Sequence, residues 1–142
     1  LFQLPPSFSY TKARLELLIE NLDPNYNNVV EFRNESWWIS EVFESFAQAG
    51  ITFCSPSYPK LPSEVIATSV LGYIRLHGNP KLFYSEYPKA ELEKIGQQVQ
   101  EKKFDDVFIF FNNTASTAGI RNAIEMKSIV EYNESNYKEQ QR

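Results

Sequence analysis

The chain is short of several residue types, and each shortage removes a class of reading. Its 142 residues include one cysteine, one histidine and one methionine. Cys54 has no internal disulfide partner, and its place in the apolar run Ile51-Thr52-Phe53-Cys54 marks a buried, reduced thiol acting as a small hydrophobe. With no second histidine and few carboxylates near strand ends, no metal site is expected. There is no glycine-rich phosphate loop, no Cys-x-x-Cys pair and no nucleophile elbow, so nucleotide, zinc and serine-hydrolase readings lack support and any cofactor is unknown. No stretch approaches the roughly 20 apolar residues that cross a bilayer. The amino terminus shows no basic segment followed by an apolar signal core, so no membrane partner and a cytoplasmic location are expected. The triplets Asn34-Glu35-Ser36, Asn112-Asn113-Thr114 and Asn133-Glu134-Ser135 then carry no meaning as glycosylation acceptors. Basic charge is scarce as well: Lys and Arg number 14 against 18 Asp and Glu, for a net charge of -4, which excludes broad binding to nucleic acid.

What is present, 42% hydrophobic and 23% charged residues, fits one globular domain. An apolar run at Leu1 to Leu4 is stopped by Pro5-Pro6. Thr11 caps an expected helix bearing Leu15, Leu18, Ile19 and Leu22, which ends at Asp23-Pro24. A strand follows from Asn28 to Arg33, then a helix with Val42, Phe43, Phe46 and Ala47, closed by Gly50. Ile51 to Ser55 reads as a strand, residues 56–69 as a long proline-bearing surface loop, and Val70 to His77 as another strand. Asn79 to Tyr87 reads as a loop, after which Pro88 opens a helix carrying Leu92, Ile95 and Val99. Val107 to Phe111 is the clearest buried strand, and a last helix covers about Ile120 to Tyr132. The domain is thus expected over residues 1–132, with 133–142 a polar, frayed tail. Strands and helices alternate throughout, and the strands are near-continuous apolar runs. That argues for an α/β fold with a parallel, helix-covered sheet, open or closed into a barrel, whose ligand site lies beyond the carboxyl ends of the strands.

Polarity reverses at two of those ends. In Val29-Val30-Glu31-Phe32-Arg33, the charged pair Glu31 and Arg33 shares one face; in Tyr73-Ile74-Arg75-Leu76-His77, Arg75 and His77 share another. Glu31 is a candidate general base, and Arg33 and Arg75 are candidate anion clamps. A histidine beside arginine is biased toward its neutral form, which suits proton acceptance, and Gly78 after it lets a backbone approach a ligand closely. The bland alternative is a buried ion pair that only completes the interior. Asn112 and Asn113 close the strongest strand, and only one of them can face the site; Asn112 shares parity with Phe108 and Phe110. Trp37 is a candidate stacking surface for a ligand, with Trp38, Tyr84 and Tyr87 undecided between stacking and core.

The segments Gln3-Leu4-Pro5-Pro6-Ser7-Phe8, Val30-Glu31-Phe32-Arg33-Asn34-Glu35-Ser36-Trp37, Tyr73-Ile74-Arg75-Leu76-His77-Gly78 and Phe111-Asn112-Asn113-Thr114, together with Arg121-Asn122-Ala123, resemble the YecE-like family, domain of unknown function 72. The resemblance covers nearly the whole chain. It implies a TIM-type (β/α) barrel, sometimes labelled sugar-isomerase-related, with no established reaction. Family chains are longer, and the Gln-Leu-Pro-Pro segment lies near their middle. The chain is therefore expected to be a partial barrel with about five of the eight strands, either a fragment or complemented by self-association or a second chain. Two functions fit. One is an enzyme acting on a small polar, sugar-like or phosphorylated metabolite, with Glu31 and His77 in acid-base roles and Arg33, Arg75, Asn112 and Trp37 binding it. The other is a non-catalytic binding or interaction module with structural charged pairs.

Overall fold

Prolines and glycines end the elements of this chain, and apolar side chains decide which face each element buries. The computed structural model describes the backbone of residues 1–140 and the side chains of residues 1–132. Strand β1 (Phe2–Gln3) stops before Pro5-Pro6, and helix α1 (Lys12–Asn21) starts where Thr11 Oγ1 accepts from the Arg14 N–H at 3.2 Å. After β2 (Val29–Glu31) comes a short 3-10 turn, Glu35–Trp37, capped by the Asn34 side chain. Helix α2 (Ser40–Ala49) closes on Gly50, whose φ of 66° is the left-handed conformation that glycine adopts without penalty. The remaining elements are β3 (Thr52–Phe53), β4 (Ser55–Ser57), β5 (Leu71–Leu76), α3 (Lys89–Lys102), β6 (Asp106–Phe111) and α4 (Ala118–Gln140).

All pairings are parallel, in two three-stranded sheets ordered β1-β2-β3 and β4-β5-β6. Only Cys54 separates β3 from β4, and its N–H donates to the Val30 carbonyl at 2.9 Å. One extended run, 52–57, therefore pairs first with β2 and then with β5, carrying the strand order from one sheet to the other. The fold is mixed α/β with two parallel sheets and four helices. No closed barrel is seen among the described residues, where β1 and β6 pair on one side only; the sheets and helices are common to the expected partial barrel without establishing it.

Two element boundaries differ from expectation. The loop expected to begin at residue 56 begins later, because Pro56 and Ser57 pair with Arg75 and Leu76; proline withholds a donor, but the neighbouring Ser57 carbonyl accepts from the His77 N–H at 3.0 Å. The last helix continues past Tyr132 to Gln140 rather than ending there, and residues 141–142 of the expected tail lie outside the described residues.

The helices cover one side of the sheets. Val30, Phe32, Phe46 and Phe53 pack there with Leu15, Trp37 and Val42, and Ile74 and Leu76 pack with Leu92, Ile95 and Met126. Each fully buried side chain of that size contributes about 1.5–3 kcal/mol. By strand alternation Gln3, Glu31, Tyr73, Arg75 and Phe110 lie on the opposite side, where Phe108 and Phe110 stay 51% and 41% exposed.

Candidate functional site

The uncovered side of the sheets collects the charged residues. Register places Gln3 beside Glu31 and Arg75 beside Pro56, so the carboxyl ends of β1, β2, β4 and β5 converge. Glu31 is fully buried at the centre. Its Oε1 lies 2.5 Å from Arg33 Nη2 and 3.2 Å from His77 Nε2, and its Oε2 lies 2.5 Å from Arg75 Nη1. Gln3 Oε1 joins the two arginines, accepting from Arg33 Nη2 at 3.1 Å and from Arg75 Nη1 at 3.2 Å. The Arg33 guanidinium lies over the Tyr58 ring at 4.2 Å, and Tyr58 meets the His77 ring edge-on. The Cys54 thiol donates to Glu31 Oε2 at 3.7 Å, and burial pushes it far toward the neutral form.

This cluster forms one side of an open cleft of about 340 Å³ lined by Gln3, Pro6, Arg33, Tyr58, Arg75, His77, Phe83 and Asn112. Of the residues singled out from sequence, Arg33, Arg75, His77 and Asn112 line it, and Glu31 sits beneath it, touching three of its lining side chains. Asn113, facing the other way, is buried and donates to the Asn122 side chain and the Ser85 carbonyl. Trp37 does not reach the cleft. It is fully buried, stacked between Phe8 and Phe32, with its N–H donated to the Phe8 carbonyl at 2.7 Å. The aromatic positions in the cleft belong to Tyr58 and Phe83 instead. Tyr58 lies in the expected long proline-bearing loop; Gln3 and Phe83 gave no signal of their own.

The wall next to His77 is tightly held. Gly78 has a φ of 90°, and a Cβ there would meet the Lys81 carbonyl at 2.9 Å, so only glycine fits. The Tyr87 hydroxyl accepts from the Gly78 N–H at 2.8 Å and donates to Ser57 Oγ at 2.9 Å. Asn122 holds Tyr87 in turn, its amide pairing with the Tyr87 backbone in both directions. The Phe83 N–H donates to the His77 carbonyl at 2.6 Å, which carries the Phe83 ring to the cleft.

Burial raises the Glu31 carboxyl's affinity for a proton, but the His77 and Arg75 hydrogen bonds and the two guanidinium charges outweigh it, holding the group below its ordinary value. Burial also holds His77 below its ordinary value: the Glu31 hydrogen bond opposes this and the Arg33 charge reinforces it. Both shifts make acid destabilising. The unfolded chain takes up the His77 proton more readily than the folded one, so stability falls as pH drops below 6.5 toward the lower folded value. The Glu31 contribution is present above 4.5 and is lost as pH falls through its lower folded value. Urea midpoints measured from about pH 7 to about pH 3 are expected to decline in these two stages, and His77→Gln should remove only the upper one. A flat profile between about pH 7 and pH 5 would contradict a buried neutral His77.

Among the described residues no group of three or more His, Cys, Asp or Glu side chains is placed to hold a metal ion. No helix in that part is long and apolar enough to cross a membrane. What the cleft does offer is cationic donors, neutral amides, a neutral imidazole and aromatic walls.

A family model described as "Protein of unknown function DUF72" matches residues 1–142. The solved structure of a DUF72 family protein from Thermotoga maritima is 28% identical, with a TM-score of 0.81 over 91% of this chain and 56% of that one. Two structures of a DUF72 family protein from Enterococcus faecalis, 18% and 19% identical, share the fold with TM-scores of 0.76 and 0.79. They too are covered at 91% of this chain and at 57% and 59% of their own. The chain thus spans less than two thirds of the length of the solved relatives it matches. No curated protein matches it.

Proposed function

Because this chain belongs to the DUF72 family, described only as of unknown function, we propose its role from the cleft itself: binding of a small, polar, anionic metabolite. One observation carries this reading. A single buried carboxylate is shared by two arginines, so one positive charge is left over at the floor of an open cleft. Arg33 and Arg75 hold the anion through charge-assisted hydrogen bonds, and Gln3 and Asn112 bond its polar groups. His77, held neutral at the cleft wall, keeps its Nε2 against Glu31 and Arg33 and so fixes the cluster without adding charge to it.

Glu31 is better read as a positioning residue than as a general base. It does not line the cleft, both of its oxygens face cations, and it is held ionised below the ordinary range. A base needs a free lone pair aimed at the substrate. In this reading the two sheets form one wall of a (β/α) barrel and the cleft is part of its mouth. Sequential parallel strands with helices on one side support that.

Calorimetric titration with carboxylates and phosphate esters tests the anion site. Binding is expected for the native chain, and Arg75→Met should weaken it by about tenfold or more, the loss of one hydrogen bond to a charged group. A folded Arg75→Met chain that binds as well as the native one would leave the charged cluster with only the structural role of a non-catalytic module.

A further inference from the structure

The charge balance of the cleft distinguishes between kinds of anion. Two guanidinium charges against the Glu31 carboxylate leave a single positive charge, and every other side chain lining the cleft is neutral: Gln3, Pro6, Tyr58, Phe83, Asn112 and the unprotonated His77. A ligand with one negative charge cancels that excess. A second negative charge would face the buried Glu31 carboxylate with nothing to offset it, in surroundings where an uncompensated charge is costly. Phosphate esters carry close to two charges at neutral pH, whereas a carboxylate carries one. The walls add a second criterion, because Pro6, Tyr58 and Phe83 give the cleft an apolar rim above its cationic floor.

We propose that the cleft is selective for a small monocarboxylate with a partly apolar body, and discriminates against phosphate esters. This rests on reading the cleft as an anion site and narrows the class of ligand. The groups facing His77 are Glu31 and Arg33 from the end of β2, Tyr58 beyond β4, and Arg75 on its own strand. Protonating His77 would add a second positive charge to the site and erase the discrimination.

The experiment uses two probes with the same ring and different charge, benzoate and phenyl phosphate, titrated calorimetrically into the whole chain. At about pH 8, benzoate is expected to bind at least roughly tenfold tighter, and the gap should narrow at about pH 5 as the phosphate ester takes up its second proton. Arg75→Met should weaken both. Tighter binding of phenyl phosphate at about pH 8 would overturn the selectivity while leaving the anion site standing. Binding of neither probe, or benzoate binding indifferent to Arg75→Met, would overturn both.

Discussion

Glu31→Ala is expected to cost about 3–5 kcal/mol, the largest loss from any single truncation around the cleft. The side chains of Arg33 and Arg75 are only 7% and 17% exposed, and both end on this one carboxylate. Without it, two positive charges face each other across a cavity with His77 beside them and too little water to solvate them. Against the 5–15 kcal/mol that holds a domain of ordinary stability together, that is about a fifth of the total or more. Glu31→Gln keeps the volume and removes the charge, so it should recover the cavity component alone. Urea unfolding of the two variants separates the terms. A loss under about 1 kcal/mol in Glu31→Ala would show that the arginines are solvated after all, and with them the argument for a buried charge balance would fall.

Trp37→Ala is expected to cost a similar amount, about 3–5 kcal/mol, for an unrelated reason. The indole is fully buried, stacks on Phe32 at 4.0 Å and on Phe8 at 5.6 Å, and meets the Tyr10 ring edge-on at 5.3 Å. Removing it leaves a cavity among aromatic rings and strips the Phe8 carbonyl of its donor. The loss should also travel. Phe8 and Tyr10 belong to the segment that follows Gln3 and Pro6, and those two residues line the cleft. Binding of benzoate is therefore expected to weaken in folded Trp37→Ala although no atom of Trp37 touches the site. Thermal unfolding and calorimetry on the same preparation check both parts, and a Tm within a few degrees of the native one would refute the packing role.

The charged strand ends were legible because alternation along a strand has a period of two, and Glu31, Arg33, Arg75 and His77 each break an apolar run at the same parity. That the four meet at one point was not legible. It depends on the register of Gln3 with Glu31 and of Pro56 with Arg75, and on the extended run through Cys54 that carries the strand order across. Gln3 is neutral and sits in a strand of two residues, too short to show a period. Trp37 illustrates the opposite difficulty: an indole beside a charged strand end serves equally as a stacking platform or as core, and only the positions of Phe8 and Phe32 decide. The far end of α4 was misread for its polarity. Glu, Lys and Gln, frequent from Asn133 onward, are good helix formers that need no apolar face to extend a helix already begun.

The pinning of the segment between Gly78 and Tyr87 has a consequence for how this site can vary. Its two ends are joined to each other by the Gly78 N–H and the Tyr87 hydroxyl, and Asn122 anchors the second end from α4. Between those ends the backbone is tied as well, the Phe83 N–H to the His77 carbonyl and the Ser85 carbonyl to the Asn113 amide, so residues 79–86 can vary in their side chains while their path stays fixed. The Phe83 side chain, the wall this segment contributes, can be replaced while Arg33, Arg75 and His77 keep their places. Selection acting on this segment alone could change which molecules the cleft admits, with the charge that attracts them left as it is.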